Sequence, residues 1–228
     1  MDNKGLNGNQ LKLLALITMT IDHIGAYIFP GILWMRIVGR LAFPIFAFMV
    51  GQGAKHTRSL KRYWLTMAVS AFICQGVSMA FRGDLYQCIL VTFTLSLSVI
   101  FLIKNAEEKK TFLARFGAIC GLGGALVICL GLPKMIPGFD VDYGLLGVMA
   151  PVAVYLAQDR LRGIFALSIC LMGISEGTLW IQWLSLGAIP FLLLYNGKRG
   201  KWKMKWLFYI YYPAHLAVIY FARMLMQR

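Results

Sequence analysis

The chain has 228 residues, of which 59% are hydrophobic and 14% are charged. A soluble domain is roughly half apolar and about a quarter charged, so this composition excludes an ordinary water-soluble domain. The net charge of +14 would indicate nucleic-acid binding in a soluble protein, but here Lys and Arg concentrate between apolar runs. We therefore expect a lipid bilayer around the protein and no nucleic-acid partner.

Runs of about twenty apolar residues recur from one end of the sequence to the other. At ~1.5 Å per residue, each run can cross a hydrocarbon core ~30 Å thick as a helix. The predicted helices are 11–29, 34–53, 63–81, 87–103, 111–132, 143–157, 163–174, 179–194 and 206–226. They predict an all-α fold, a polytopic helical membrane protein with about nine transmembrane helices in one bundle and a single domain over residues 1–228. Two of the predicted helices, 143–157 and 163–174, are short for a span, so eight or ten spans are also compatible.

Positive charges gather in every second loop. These loops and their borders contain Lys55, Arg58, Lys61, Arg62, Lys104, Lys109, Lys110, Arg160, Arg162, Lys198, Arg199, Lys201, Lys203 and Lys205. Such loops stay on the cytoplasmic side, where they also meet anionic lipid headgroups. We therefore expect a cytoplasmic N-terminus. Residues 1–10 are polar and lack a signal-peptide cleavage pattern, which predicts that the first apolar run is a retained span.

Ionisable residues interrupt the first two predicted spans: Asp22 and His23 in the first, Arg36 and Arg40 in the second. Each costs ~2.5 to 3.5 kcal/mol near the bilayer centre, so each needs a partner or a task. With the hairpin turning near residues 30 and 31, His23 and Arg40 both lie ~12 to 14 Å below the surface. Adjacent helical residues point ~100° apart. We therefore expect one of Asp22 and His23 to face the arginines and the other to face a third helix.

A further histidine, His215, lies in the last predicted span, ~15 Å from the basic loop. Pro213 precedes it and leaves the carbonyl of Tyr209 without its usual partner, which predicts a kink. Two histidines and two arginines at similar depth predict a polar chamber. The alternatives remain that Asp22 forms a structural ion pair with the arginines, and that each histidine is a core residue bonded to a carbonyl.

Other polar residues are expected to be structural. His56 is predicted to be solvated or to face headgroups. Asp140, Asp142 and Glu176 are predicted to be solvated loop residues, with Asp142 also a candidate cap for the helix that follows. The five cysteines lack metal-ligand spacing and are predicted to pack in the apolar runs, so we expect no metal site.

Motifs in order from the first predicted span to the last resemble the TraX family. They are Asp22-His23-Ile24-Gly25, Arg36 through Gly39-Arg40 to Ala42-Phe43-Pro44-Ile45-Phe46, Asp142-Tyr143-Gly144 with Gly147, Tyr195-Asn196-Gly197-Lys198-Arg199-Gly200, and Tyr212-Pro213-Ala214-His215-Leu216. One position departs from the pattern: in the third span, where relatives carry an acidic residue, this chain has Cys74-Gln75-Gly76. A catalytic part for that carboxylate is in doubt here.

The family is named for a conjugation-associated membrane protein that acetylates the pilin N-terminus, and it resembles a wider group of membrane acyltransferases. The resemblance implies a multi-pass protein of the bacterial cytoplasmic membrane that transfers acyl groups from cytoplasmic acetyl-CoA or another acyl-CoA. The resemblance leaves three classes of acceptor as alternatives: a pilin-like N-terminus, a glycan and a lipid. The residues implied in catalysis are His23, Asp22, His215 and Arg40. Those implied in cofactor or substrate binding are Arg36, Tyr195, Asn196, Lys198, Arg199 and Tyr212.

Within this scheme, we expect His23 to act as the base and His215 to orient the acceptor or cofactor. Two other classes of function remain. A transporter or flippase also buries ionisable groups, but it would favour carboxylates and interrupted half-helices repeated in both halves of the chain. A non-enzymatic membrane assembly protein would need neither histidines nor arginines at one depth.

Overall fold

Helices form nearly all of the regular structure. A computed structural model of the protein describes residues 5–176, 178, 180–201 and 205–226. Its helices are α1 (Gly8–Tyr27), α2 (Leu33–Gly39), α3 (Ala42–His56), α4 (Leu60–Arg82), α5 (Ile89–Lys109), α6 (Phe112–Leu126), α7 (Leu132–Met135), α8 (Gly144–Leu156), α9 (Arg160–Glu176), α10 (Ile189–Leu193) and α11 (Lys205–Met226). A π-helical turn, Val127–Gly131, joins α6 to α7, and a 3₁₀ helix, Trp180–Ala188, leads into α10. The predicted all-α class is confirmed.

Each of the nine predicted regions is helical, and most ends agree within about three residues. The predicted helix 87–103 extends further, to Lys109. Charged residues stop an apolar run in the sequence but not the helix, and Lys104 and Glu108 even form an ion pair one turn apart, at 3.7 Å. The predicted helix 34–53 is divided into α2 and α3, with a break after Gly39.

Several helices are suited to a membrane. In the part of the chain that the structure describes, four segments are long and apolar enough to cross one by length and composition: Leu33–His56, Leu60–Arg82, Ile89–Lys109 and Phe112–Met135. Gly144–Leu156 and Trp180–Leu193 are shorter apolar helices. A helical membrane protein is therefore supported, while nine full spans remain a prediction.

The helical regions alternate in direction, so the loops gather at two ends. At the first, which we call the basic end, the Lys55 ammonium donates to the carbonyl of Ala157, and Leu6 pairs with Tyr195. Most of the loop Lys and Arg residues belong to this end. At the other, which we call the cavity end, the Arg82 guanidinium reaches the Tyr27 hydroxyl at 3.5 Å.

Two short strands fix the loops of the cavity end. The link between α4 and α5 contains β1 (Tyr86–Gln87), and the link between α7 and α8 contains β2 (Asp140–Val141). They pair in parallel, with Tyr86 opposite Asp140 and Gln87 opposite Val141. The pairing brings two connections that are more than fifty residues apart in sequence to the same place in the bundle.

The orientation in the membrane can be tested by labelling from outside the cell. Because Lys and Arg loops stay in the cytoplasm, we expect the basic end to be inside. Arg58→Cys, in an exposed position of the basic end, should then resist a membrane-impermeant maleimide in intact cells. Met135→Cys, at an exposed position of the cavity end, should react. The parent chain, with its five native cysteines, is the control, and the reverse labelling pattern would show that the orientation is wrong.

Candidate functional site

The site begins where α1 and α2 approach closely. Gly25 faces Met35, and a Cβ on this glycine would lie 2.6 Å from that of Met35. Gly39 faces Asp22 so closely that a Cβ there would overlap the aspartate side chain. Two glycines therefore let the helices of this hairpin touch at the level of the buried carboxylate.

Asp22 binds both arginines of α2 and its end. Its Oδ1 lies 2.8 Å from Arg36 Nη1 and 2.9 Å from Arg40 Nη2. Arg40 also donates from Nε to the Arg36 carbonyl at 3.3 Å and from Nη1 to Gln182 Oε1 at 3.0 Å. The Asp22–Arg36–Arg40 triad carries one net positive charge. The prediction that one of the adjacent pair in α1 faces the arginines is confirmed, and so is an ion pair joining the two helices.

The two arginines differ in side-chain exposure and in how many of their hydrogen-bond donors have a partner. The Arg40 side chain is 13% exposed and binds groups on three sides, whereas the Arg36 side chain is 33% exposed. Arg36 donates from Nη1 to the carboxylate and backbone carbonyl of Asp22. Its other donors have no partner among the described residues. Arg36 is therefore the guanidinium with donors to offer a bound molecule.

His23 points away from the arginines, towards α11. Its Nδ1 lies 2.7 Å from Nε2 of His215, and the rings stack with centroids 5.0 Å apart. The His215 Nδ1 in turn lies 2.9 Å from the carbonyl oxygen of Tyr211. The second half of the prediction for this adjacent pair, a third helix facing the other residue, is confirmed.

These contacts fix the tautomers of both histidines. A carbonyl oxygen can only accept, so the His215 Nδ1 carries a hydrogen and, in the neutral ring, its Nε2 accepts. His23 must then donate from Nδ1, which leaves its own Nε2 with a free lone pair. Through His215, the backbone carbonyl of Tyr211 thus determines which nitrogen of His23 carries the hydrogen. This bond uses the carbonyl one helical turn before His215, not the Tyr209 carbonyl emphasised by the sequence, and α11 continues through Pro213.

A cavity of about 330 Å³ lies beside His23 and the triad. Its walls come from α1, α2, α3, α4, α11, the start of α5, the link that contains β1 and the residues just before α8, and aromatic rings make up much of them. The polar and aromatic lining includes Asp22, His23, Tyr27, Arg36, Arg40, Phe43, Phe46, Ser78, Arg82, Tyr86, Cys88, Asp142, Tyr143, Tyr212 and Tyr220. The predicted polar chamber is therefore present, towards the cavity end of the bundle.

Asp142 lies on another wall of the cavity and is more than a loop residue. Its Oδ1 accepts a hydrogen bond from the Tyr86 hydroxyl at 2.8 Å, and its backbone carbonyl accepts one from Thr92 at 2.8 Å. Burial raises the pKa of this carboxyl to about 6, and the hydrogen bond from Tyr86 offsets part of that rise. The expectations of a solvated residue and of a helix cap are wrong: Asp142 is partly buried, and the residue at the N-cap of α8 is Tyr143.

Arg82 stands at the rim of the cavity. It binds the Asp84 carboxylate at 2.6 Å and lies over the Tyr86 ring at 5.1 Å. Tyr27 and Tyr220 complete this rim, with their hydroxyls 3.3 Å apart. None of these residues was singled out by the sequence, because their partners come from separate helix ends whose meeting no local pattern reveals.

Four of the expected binding residues lie elsewhere. Tyr195, Asn196, Lys198 and Arg199 are at the basic end, around the start of α1 at Gly8. Backbone carbonyls of Lys198 and Arg199 accept from the first amides of that helix, at 2.8 and 3.0 Å. His23 lies fifteen residues further along α1, so ~22 Å separate this loop from the histidine pair. Tyr212, by contrast, lines the cavity.

The departure from the family pattern has a structural explanation. The Gln75 side chain donates to the Tyr86 carbonyl at 3.0 Å and accepts from the Cys88 amide at 2.9 Å. A side-chain amide can both donate and accept in this way, whereas an ionised carboxylate would face the carbonyl without a proton. Gln75 therefore ties the loop containing β1 to α4.

The expected solvation of His56 agrees with its exposed position.

No group of three or more His, Cys, Asp or Glu residues within the described ranges is placed to hold a metal ion. The groups that remain to bind a substrate or cofactor are guanidinium, imidazole, carboxylate and phenol. The five cysteines are free thiols, and all except Cys120 are buried.

A family model described as TraX protein matches residues 7–223. The chain belongs to the TraX family. The resemblance found in the sequence motifs is thereby confirmed, and the matched range includes α1 through most of α11. Every polar side chain of the cavity therefore lies within the part of the chain that defines this family.

Two relatives of this TraX protein differ in how much they share with it. The probable fimbrial assembly protein FimC, serogroup H1, of Dichelobacter nodosus is 28% identical over 246 aligned positions, with 96% of each chain covered. An uncharacterized protein of Rickettsia prowazekii (strain Madrid E) is 53% identical over 49 residues, which cover 22% of this chain and 20% of that one. This chain thus matches only about a fifth of the second relative's length. No solved structure matches this chain.

The close approach of α1 and α2 gives a stability prediction. Gly39→Ala places a methyl group against Asp22, which should cost about 1 to 3 kcal/mol as an overpacked contact. Gly76→Ala, in α4, meets nothing within 4 Å and is the matched control. In thermal unfolding of the detergent-solubilised protein, we expect a lower Tm for Gly39→Ala and an unchanged or slightly higher Tm for the control. Equal Tm values for both variants would contradict the contact.

Proposed function

We propose that this protein is a membrane-embedded acyltransferase that uses acetyl-CoA or another acyl-CoA. The observation that carries the proposal is the hydrogen-bonded series from the Tyr211 carbonyl through His215 to His23, which ends at an imidazole lone pair beside the cavity. A neutral imidazole in this state can remove a proton from an acceptor as it attacks a thioester. Family membership supports the proposal, because the reaction is the one that the resemblance implies.

His23 is the proposed general base. It lines the cavity, and its tautomer leaves Nε2 ready to accept a proton. His215 is a positioning residue that holds the His23 ring and stabilises it once protonated, as the third group does in a nucleophile–base–orienter arrangement. This differs from the expected contact of His215 with acceptor or cofactor, because its Nε2 is already bonded to His23.

The triad supplies the proposed positive charge. Arg36 lines the cavity and has donors without a partner among the described residues, so it is the residue that would contact the oxyanion or an anionic group of the substrate. Arg40 and Asp22 hold it in place, with Gln182 behind them. A fixed guanidinium in a site of low dielectric stabilises a developing negative charge without reorganisation.

The two ends of the bundle suggest how donor and acceptor approach. With the basic end in the cytoplasm, Lys198 and Arg199 would meet the phosphates of acyl-CoA there. The cavity then lies towards the outer side, where an extracytoplasmic acceptor would enter. The ~22 Å between the two places is the distance that the donor's acyl-bearing arm has to bridge.

The relative from Dichelobacter nodosus, named a probable fimbrial assembly protein, favours a second candidate function, a role in the assembly of surface fibres. An assembly protein without enzymatic activity would require the fold but not the lone pair of His23. Acylation of a component of such a fibre would unite the two functions. The distinction depends on whether assembly survives the loss of His23.

Substitution of the three histidines tests the proposed enzyme. With purified protein, radiolabelled acetyl-CoA and host membranes as acceptor source, His23→Ala should lower acyl transfer by roughly 100-fold or more while acetyl-CoA still binds. His215→Ala should give a smaller loss with a changed pH profile, because the orientation and proton affinity of His23 change. His56→Ala, at an exposed position of the basic end, is the matched control and should keep normal transfer. Unchanged turnover in His23→Ala would exclude the proposed mechanism.

A further inference from the structure

We infer that the hydroxyl of Tyr143 is a second oxyanion donor, which works with Arg36 on the thioester oxygen as that oxygen becomes negatively charged. The inference rests on the proposed acyl transfer and adds a catalytic residue to it, since that proposal gives the oxyanion to Arg36 alone. Three features of the structure support it: the backbone conformation of Tyr143, the packing of its ring, and the surroundings of its hydroxyl.

Tyr143 has an uncommon backbone conformation. Its φ of 61° lies in the left-handed region, and among the described residues other than glycine only Lys110 also has a positive φ. A residue with a bulky side chain is disfavoured in this region, whereas glycine adopts it readily. The next residue, Gly144, has a φ of 56° and is suited to it. A tyrosine held in such a conformation in a cavity wall indicates a function for its side chain.

The neighbouring structure holds the Tyr143 side chain in place. The Tyr143 carbonyl accepts a hydrogen bond from the Gly147 amide at 2.9 Å, and a Cβ on Gly147 would lie 2.5 Å from that of Tyr143. This glycine therefore makes room for the tyrosine beside the first turn of α8. The Tyr143 ring stacks on Phe43 of α3, with centroids 3.9 Å apart and planes 10° apart. A ring held in this way keeps its hydroxyl in one position, as preorganised stabilisation of charge requires.

The hydroxyl of Tyr143 has no hydrogen-bond partner among the described residues. Tyrosine hydroxyls inside proteins usually find one, and the Tyr86 and Tyr27 hydroxyls of the same cavity both do. Arg40 and Arg36 lie close enough to act on the Tyr143 hydroxyl electrostatically. A phenol titrates near pH ~10, so it carries its proton at neutral pH and can donate a hydrogen bond. A donor without a partner, near two guanidiniums, suits an oxygen that gains negative charge.

Tyr143 and Arg36 approach the cavity from different elements. Arg36 belongs to α2, whereas Tyr143 is the N-cap residue of α8. The guanidinium supplies a positive charge, and the phenol supplies one directed O–H group. His23 lines the same cavity of about 330 Å³, so the base and both donors can act on a single thioester. Two fixed donors and a base on one cavity form the arrangement that acyl transfer requires.

The reaction balances with these three residues. A neutral acceptor attacks the thioester carbon while one of its protons moves to His23 Nε2, and the carbonyl oxygen becomes an oxyanion that Tyr143 and Arg36 bind. The carbonyl then re-forms, the carbon–sulfur bond breaks, and the leaving thiolate takes the proton from the His23 imidazolium. The products are the acylated acceptor and free CoA thiol. Tyr143 donates a hydrogen bond and keeps its proton throughout.

Replacement of Tyr143 by phenylalanine tests the inference. Tyr143→Phe keeps the ring on Phe43 and removes only the hydroxyl, so the Tm should be unchanged while one oxyanion donor is lost. With purified protein, radiolabelled acetyl-CoA and host membranes, kcat should fall by roughly 10- to 1000-fold, and the KM for acetyl-CoA should change by less than about twofold. The shape of the pH profile should stay that of the parent chain, because His23 is unchanged. Tyr155→Phe, at the other end of α8, is the matched control and should keep normal transfer.

Three results for Tyr143→Phe would overturn the inference while leaving acyl transfer by the parent chain in place. A kcat within about twofold of the parent value would show that the hydroxyl does not bind the oxyanion. A raised KM with an unchanged kcat would show that it serves substrate binding alone. A lowered Tm would show that the hydroxyl has a structural partner. If the parent chain itself releases neither labelled product nor CoA thiol, the proposed function fails, and the inference fails with it.

Discussion

The ion contacts between Asp22 and the two arginines determine the geometry of the rest of the site. Three charged side chains at membrane depth would be costly alone, and they are tolerable because one carboxylate lies within 3 Å of both guanidiniums. That contact requires a residue without a side chain at position 39, because a Cβ on Gly39 would overlap Asp22. Once Asp22 is turned towards α2, the helical rotation of ~100° turns His23 towards α11. One close approach of two helices therefore places a positive charge and a base on the same cavity.

The sequence predicted much of this arrangement because helix geometry is regular. Counting from the hairpin placed His23 and Arg40 at one depth, and the angle between neighbours separated the directions of Asp22 and His23. It also marked His215 as buried. The identity of the partner of His23 was not predictable, since the pairing of α1 with α11 joins residues 192 positions apart and depends on the packing of the whole bundle.

Other parts of the site have no signature in the sequence. Asp142 looked like a solvated loop residue, because a two-residue strand and a tyrosine from a distant link are what bury and hold it. Gln182 gave no pattern within its apolar segment, yet it accepts from Arg40. The basic loop around Lys198 was predicted to belong to the same site, but it lies at the other end of the bundle from the cavity, where its backbone carbonyls accept hydrogen bonds from the first amides of α1. Long-range contacts decided each of these cases.

In the proposed mechanism His23 and His215 act as one unit, and a double-mutant cycle on acyl transfer tests this most directly. If His215 acts only through His23, the variant lacking both histidines should be no slower than His23→Ala alone, because the second loss removes nothing further. A double variant whose loss equals the product of the two single losses would show that the histidines act independently. That result would contradict the hydrogen-bonded base on which the proposed mechanism depends.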